Sequence, residues 1–153
     1  MQIELTQGYK AEIDFCDWWK VQDYSWFAHV RAHTVYACSS QPGGQTVYMH
    51  RLLCPTALWV DHVDGNGLNN RYKNLRPATA RQSNANAYRK QNVSGYVGVS
   101  ATPAGRWQAR ARKDGVRYHI GVFDTAEEAA CAYDEWTSIE YGLFAVLNFP
   151  KEG

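Results

Sequence analysis

Residues Val60–Asn70 read VDHVDGNGLNN, so an aspartate and a histidine stand directly before a loop rich in asparagine and glycine. Asp61 offers a charged oxygen, the hard ligand that Mg²⁺ or Mn²⁺ prefers. A neutral imidazole with an ordinary pKa of about 6.5 makes His62 a candidate general base near physiological pH. Neighbouring side chains of a strand point to opposite faces, so both residues can serve one site only where the strand ends and turns. Asp, Asn and Gly provide such a turn, although the same residues also form ordinary hairpin loops.

The charges of the chain are strongly segregated, although the net charge is only +1. Residues 71–119 contain eleven lysines and arginines and one acid, a balance of +10, whereas the remaining residues carry −9. Aromatic residues lie among these positive charges. A basic block of this kind predicts contact with a polyanion.

Composition limits the other classes of protein. The chain has 153 residues, of which 45% are hydrophobic and 20% charged, values typical of a globular protein of one or two small domains. No apolar run approaches the length of about 20 residues that a membrane helix needs, and the N-terminus lacks the apolar region of a signal peptide. The four cysteines are scattered singly, so we expect reduced core thiols in a cytosolic protein rather than a zinc ribbon or disulfide framework.

Short strands are expected to dominate the first part of the chain. The segments IELTQGYKAEI, YSWFAHVRA, TVYACSS and QTVYMHRLL read as strands, and the last two flank the hairpin turn QPGGQ. The segment FCDWWKVQDY is compatible with a short helix or an aromatic-rich turn. Thr79 and Gln82 match a capping box, so a helix should begin near Ala80 and run through Asn86 towards Lys90.

Three strands followed by a helix are expected in the last part of the chain. The strands are YVGVSA, RWQARAR and VRYHIGVF, and the turn KDG joins the second to the third. Asp124 or Thr125 should cap the helix TAEEAACAYDEWTSIEYG, which ends at Gly142. A helix face formed by Ala129, Ala132, Tyr133 and Trp136 should pack against the sheet.

The segments MHRLL and WVDHVDGNGLNNRYKNLRPAT resemble the HNH (ββα-metal) endonucleases of the phage and intron-homing type, over roughly residues 48–90. The resemblance implies that His62 is the general base, that Asp61 binds one Mg²⁺ or Mn²⁺ ion, and that Asn74 clamps the loop backbone so that His62 stays oriented. These parts suit phosphodiester hydrolysis, which needs an activated water and neutralisation of charge on the phosphate. His50 is expected to pack beneath this site or to contact the phosphate backbone.

The chain departs from the HNH pattern at the metal ligand from the helix. Counting without gaps from Asp61, the asparagine or histidine of the family falls on Ser83, whose hydroxyl is a less common Mg²⁺ ligand. A small shift of register selects Asn84, which we take as the ligand, with Ser83 as the close alternative and Asn86 as a further one. The departure leaves open a slow or degenerate enzyme.

Residues 94–150 resemble the Apetala/ethylene-response-factor DNA-binding domain, by the landmarks YVGV, RWQARAR, GVFDTAEEAACAYD and LNFP. The resemblance implies that a three-stranded antiparallel sheet lies in the major groove, with the helix packed behind it. Strand alternation places arginines on one face and alanines on the other. The expected DNA contacts are Arg106, Trp107, Arg110, Arg112, Arg117 and His119 in this segment and Arg89 and Lys90 before it. Val97, Ser100 and Arg110 depart from the plant domains, so the plant target sequence is not implied.

We therefore expect an α+β protein with two domains: residues 1–90, a strand-rich segment and an HNH nuclease module with its core at 48–90, and residues 94–150, a DNA-binding domain. The expected function is that of a metal-dependent endonuclease that cleaves double-stranded DNA near the site bound by its C-terminal sheet. We expect a cytoplasmic monomer without a small-molecule cofactor or membrane association, encoded by a phage or prophage in a bacterial cell. The alternatives are a non-catalytic DNA-binding protein or regulator with a degenerate HNH module and, less favoured, an RNA-binding module.

Overall fold

The computed structural model describes residues 1–86 and 93–150, and the chain divides into two compact units, Met1–Asn86 and Ala87–Gly153. Strand-rich sheets combined with a C-terminal helix confirm the α+β class. Among the described residues, no helix is both long enough and apolar enough to cross a membrane.

The first unit is built from short elements. They are β1 (Gln2–Glu4), β2 (Lys10–Glu12), α1 (Trp18–Val21), β3 (Phe27–Val30), β4 (Val35–Ser40), β5 (Thr46–Tyr48), α2 (Met49–Leu53), β6 (Trp59–His62), β7 (Leu75–Ala78) and α3 (Ala80–Ala85). Three antiparallel sheets result: β1 with β2, β3–β4–β5 in that order, and β6 with β7. Apolar side chains from the strands, the helices and the segments between them share a core that includes Ile13, Val21 and Met49, all fully buried.

The segment QTVYMHRLL was expected to form one strand, but it forms a strand followed by a helix. Only Thr46–Tyr48 pairs with β4, and the chain then forms the helix α2. Met49, Leu52 and Leu53 recur at helical spacing, and all three pack on the core of the unit. The alternation of polar and apolar residues just before Met49 resembles a strand, and it hid the change from strand spacing to helix spacing.

The helix predicted after Thr79 begins where the capping box places it. Thr79 Oγ1 accepts a hydrogen bond from the Gln82 backbone, and the Gln82 side chain accepts one from the Thr79 backbone. The helix is described over Ala80–Ala85, and the part expected towards Lys90 lies outside the described residues.

The cysteines are all free, but only Cys38 is a core thiol. Cys16 and Cys131 are exposed and Cys54 is half-buried, so the expectation of core positions was wrong for these three. Cysteine hydrophobicity predicts burial on average, but Cys131 lies on the exposed side of α4 and Cys54 at the end of α2.

The second unit contains the three strands and the helix that the sequence predicted: β8 (Val99–Ala101), β9 (Trp107–Lys113), β10 (Val116–Phe123) and α4 (Ala126–Tyr141). The strands form an antiparallel sheet in the order β10–β9–β8. Thr125 rather than Asp124 caps the helix, in a capping box with Glu128, and Gly142 follows its last residue.

Small side chains allow helix α4 to pack closely on one face of this sheet. Ala109 of β9 and Ala129 and Ala130 of α4 are fully buried in a common core. Gly98 comes so close to the Tyr133 ring that an added Cβ would lie 2.2 Å from ring carbons, and its φ of +78° also favours glycine.

The segment LNFP closes the second unit on the helix. Asp134 of α4 is buried, and its carboxylate accepts hydrogen bonds from the backbone N–H groups of Asn148 and Phe149, each at 2.8 Å. The Asn148 side chain also donates to Asp134 at 3.0 Å and accepts from the Val97 backbone at 2.7 Å. Asn148 therefore links the helix to the segment that leads into β8.

Candidate active site and nucleic-acid interface

Asp61 and His62 are the last two residues of β6, and both are buried. Pairing of β6 with β7 places Asp61 opposite Arg76 and His62 opposite Leu75. The strand ends at His62 and turns into the asparagine-rich loop. This is the position that the sequence required for both side chains to serve one site.

The imidazole of His62 is oriented by an asparagine of the same loop. Asn70 Oδ1 lies 3.3 Å from His62 Nε2, and the Asn70 amide nitrogen donates to the Leu68 carbonyl at 3.1 Å, which fixes the direction of the amide. An amide oxygen only accepts, so Nε2 holds the ring proton in this bond and Nδ1 keeps its lone pair. The arrangement leaves Nδ1 as the basic atom of His62.

Burial keeps His62 in its neutral form. Desolvation lowers the pKa of His62 below its ordinary value of 6.5, against the Asn70 hydrogen bond and the charges of Asp64 and Asp61, which raise it. A neutral imidazole is the form that a general base requires.

His50 packs against His62, as expected for a residue beneath the site. The two rings meet edge to face with centroids 5.1 Å apart, and the Tyr36 ring lies 5.4 Å from His50 and 6.0 Å from His62. Burial, followed by the proximity of His62 and Arg51, lowers the pKa of His50 to about 3. His50 is therefore a neutral packing partner that restricts the orientation of the His62 ring.

Asn74 spans the loop after β6. Its Nδ2 donates to Asp64 Oδ1 at 2.9 Å and to the Asn69 carbonyl at 2.7 Å, and its Oδ1 accepts from the Asp64 backbone at 3.0 Å. Burial disfavours ionisation of Asp64, but hydrogen bonds from Asn69, Asn66 and Asn74 outweigh it and lower the pKa of the Asp64 carboxyl. Asn74 thus bonds across the loop from Asp64 to the Asn69 backbone.

The N-terminal strands support the same loop, a role that the sequence left undefined. The Glu12 backbone of β2 donates to the Leu68 carbonyl at 2.8 Å and accepts from the Asn70 N–H at 2.7 Å. Gly67 packs so closely on the chain at β4 that an added Cβ would lie 2.5 Å from the Val35 carbonyl oxygen. The loop that carries Asn70 is therefore held by contacts remote from it in sequence.

Asp61 is bound through its carboxylate oxygen Oδ2. Arg76 Nε donates to Oδ2 at 2.8 Å and its Nη2 lies 2.7 Å from the same oxygen, while Asn86 Nδ2 donates to Oδ2 at 3.0 Å. Asn86 Nδ2 also donates to the His62 carbonyl at 2.6 Å. From residues 1–86 and 93–150, no hydrogen bond or ion pair reaches Oδ1 of Asp61.

The structure brings Asn86, rather than Asn84, to Asp61. Successive helix residues are separated by about 100°, so Asn84 and Asn86 lie on nearly opposite sides of α3. Asn84 is exposed, and Ser83 is half-buried without a side-chain hydrogen bond to the described part of the chain. Asn86, and not the predicted Asn84, is therefore the asparagine of this helix end that contacts Asp61. The sequence signal for this contact was the position of Asn86, which lies about one helical turn after Ser83.

The oxygens near Asp61 suit a hydrated divalent cation. Oδ1 of Asp61 is a charged hard donor, and the amide oxygen of Asn86 is a neutral one on the side chain beside it. Within the described ranges, no group of three or more His, Cys, Asp or Glu side chains converges to form a complete metal cage. Mg²⁺ commonly uses one or two carboxylates together with water and substrate phosphate, so this donor set fits such an ion.

A basic face covers the open side of the second sheet. Arg112 lies opposite Arg117 and Arg110 lies opposite His119, all with exposed side chains. Like charges placed opposite each other destabilise a sheet, and no carboxylate among the described residues forms an ion pair with these arginines. A polyanion is the partner that would offset these charges.

The remaining residues expected to contact DNA differ in their positions. Trp107 is half-buried and packs in the core on the helix side of the sheet, which separates it from the arginine face. Arg106 precedes β9, where its Nε lies 2.8 Å from the Asp124 carboxylate. Arg89 and Lys90 lie outside the described residues.

A bulge also modifies the alternation that the sequence predicted in β10. The register with β9 shifts between His119 and Gly121, so the strand gains one residue there. Val122 rather than Gly121 then lies opposite Gln108. The basic face ends at His119, because no basic residue follows it in β10.

No protein-family model matches the chain. The chain is similar to an uncharacterized HNH endonuclease of Acanthamoeba polyphaga mimivirus, with 29% identity over 150 residues that cover 93% of this chain and 76% of that protein. An ethylene-responsive transcription factor of Arabidopsis thaliana is 46% identical over 70 residues, which cover 40% of this chain and 27% of the plant protein. Dehydration-responsive element-binding protein 2A of the same plant is 46% identical over 58 residues, 37% of this chain and 17% of that protein. The chain thus spans much of the mimivirus protein but only a minor part of these plant proteins, in keeping with a hybrid of two resemblances.

Proposed function

We propose that the chain is a metal-dependent DNA endonuclease of the HNH type, in which residues 1–86 hydrolyse phosphodiester bonds near a site bound by the second unit. The observation that carries this proposal is the convergence of Asn70 on His62 and of Asn86 on Asp61 at the end of β6. Similarity over 93% of this chain to a mimivirus protein named as an uncharacterized HNH endonuclease supports the same conclusion.

In the proposed reaction, His62 Nδ1 accepts a proton from the attacking water. Asn70 holds the proton on Nε2, so the two ring nitrogens keep distinct roles throughout. Asn74 and His50 position the imidazole through the loop backbone and through ring packing, respectively.

Asp61 and Asn86 would hold a single Mg²⁺ or Mn²⁺ ion through their side-chain oxygens. When bound, such an ion neutralises charge on the phosphate and stabilises the departing 3′ oxygen. Asn86 donates to Oδ2 of Asp61, so the other oxygen, Oδ1, is the one proposed to meet the ion.

The second unit is proposed to bind double-stranded DNA through Arg110, Arg112, Arg117 and His119. A β-ribbon of this size fits the major groove, where arginine pairs with two acceptors of guanine. The similarity of about two-fifths of the chain to plant proteins named as transcription factors supports this assignment.

Incubation of the full chain with supercoiled plasmid tests the proposal. Mg²⁺ or Mn²⁺ should convert the plasmid to nicked or linear forms, and EDTA should stop the conversion. Cleavage in EDTA would contradict the metal-dependent mechanism. Tight DNA binding without cleavage in either metal would instead identify a non-catalytic DNA-binding protein, a second candidate favoured by the neutralisation of Asp61 by Arg76.

A further inference from the structure

Arg76 already forms an ion pair with Asp61, the carboxylate that the proposed metal would need. Its side chain is only 17% exposed and that of Asp61 7%, and two guanidinium nitrogens lie within 2.8 Å of Oδ2. Cross-strand pairing fixes this contact, because Asp61 and Arg76 are directly opposite in the β6–β7 ladder. The pair is therefore a built feature of the site rather than a passing surface contact.

We infer that Arg76 acts as an internal counter-cation at Asp61, which makes binding of a divalent metal depend on DNA phosphate. This inference rests on the proposed function. Without DNA, the guanidinium offsets the charge of the Asp61 carboxylate and repels a second cation at close range. A phosphate at the site restores a net negative charge, and guanidinium also binds phosphate readily.

The consequence is a protein that binds metal weakly until its substrate is present. Of the described side chains that contact the Asp61 carboxylate, Asn86 is neutral and Arg76 carries the positive charge. Arg76 is accordingly a positioning and charge-setting residue, not a group that reacts with the substrate.

Electron paramagnetic resonance can measure Mn²⁺ binding directly, so it tests the inference without any measurement of activity. All variants are full-length and carry His62→Ala so that DNA stays intact. Adding Arg76→Gln should tighten Mn²⁺ binding in the absence of DNA by about tenfold or more, since a positive charge beside the ion is removed. Addition of a DNA duplex should then raise the Mn²⁺ affinity of the Arg76→Gln variant much less than that of the parent. Arg76→Lys, which keeps the charge, should stay close to the parent.

A matched control is Arg71→Gln, which removes a surface ion pair with Glu12 in the same unit and should leave Mn²⁺ affinity unchanged. If the Arg76→Gln variant and its parent bind Mn²⁺ equally well while Asp61→Asn loses binding, the role of Arg76 is overturned and the metal site is retained. Undiminished Mn²⁺ binding by Asp61→Asn in the presence of DNA would overturn the proposed metal site itself.

The inference also predicts that a metal can substitute for the arginine in folding. Arg76→Gln leaves the buried Asp61 carboxylate without its cationic partner and should lower Tm, and Mn²⁺ should raise the Tm of this variant by more than that of the parent. If the variant is unfolded without metal, Mn²⁺ should restore its near-ultraviolet circular dichroism. An equal Tm shift in both proteins, or no recovery with Mn²⁺, would show that Arg76 is only a structural partner.

Discussion

At the residue scale, the proposed site depends on three asparagines with separate tasks. Asn70 determines which nitrogen of His62 is basic, Asn74 holds the loop, and Asn86 contacts both Asp61 and the His62 carbonyl. Amides suit these tasks because one group both donates and accepts. The neighbouring asparagines are therefore not interchangeable.

Replacement of the helix asparagines should distinguish Asn86 from Asn84. Asn86→Ala removes two hydrogen bonds at the site and should lower the cleavage rate by about 10- to 100-fold, the range found for groups that support metal ligands. Excess Mg²⁺ should partly restore it. The exposed Asn84→Ala and Ser83→Ala variants should remain within about twofold of the unmodified chain. Plasmid nicking rates measured against Mg²⁺ concentration decide this, and a larger decrease in Asn84→Ala would reverse the assignment.

Asn74→Ala should destabilise the first unit. It deletes bonds to Asp64 and to the Asn69 carbonyl from a buried side chain, a change that costs about 1–3 kcal/mol. Thermal melting should show a clear fall in Tm, whereas Asn66→Ala, at an exposed turn position, should cause a smaller one. Similar Tm values for the two variants would argue against Asn74 as the clamp of the loop.

At the element scale, the sequence predicted the strands and the capped helices better than α2, the short helix that directly follows β5. β10 occupies the predicted segment VRYHIGVF, and the capping box at Thr79 located the start of α3, because strand alternation and helix caps are local signals. The helix α2 was missed since its five residues directly continue a strand-like pattern. Asn86 was ranked behind Asn84 and Ser83, because its contact with Asp61 depends on how α3 packs on β6 rather than on local spacing.

The basic face of β9 and β10 should provide most of the DNA affinity of the second unit. Replacing Arg110, Arg112 and Arg117 by glutamine should weaken DNA binding and flatten its salt dependence, by about 0.9 in the log–log slope for each phosphate that the protein no longer neutralises. Arg106→Gln should have a smaller effect, because Asp124 already pairs with Arg106. Fluorescence anisotropy at several salt concentrations measures both quantities. An unchanged salt slope in the triple variant would place the DNA-binding surface elsewhere.

At the scale of the whole molecule, the two units are proposed to divide cleavage from recognition. The first unit contains Asp61 and His62, and the second contains the arginine face. The basic block at residues 71–119 extends over parts of both, so nonspecific attraction to DNA is not confined to one unit. Base recognition, however, is expected from the second.

A chain truncated before Ser94 should therefore cut DNA at scattered positions. Each bidentate arginine–guanine contact contributes about 1–3 kcal/mol of discrimination, which the truncated chain would lack. Sequencing of the cut ends compares the two proteins, and circular dichroism checks that the truncated chain is folded. Retention of one preferred sequence by the truncated chain would place specificity in residues 1–93.

The central claim is that His62 is the general base of a DNA endonuclease, and parallel assays of cleavage and DNA affinity in His62→Ala test it most directly. A base acts in the transition state rather than in binding, so cleavage should fall by about 10²- to 10⁴-fold while DNA affinity stays within about twofold. His33→Ala, which removes an exposed histidine of the same unit, should leave both quantities unchanged. Cleavage by His62→Ala at the rate of the unmodified chain would contradict the account.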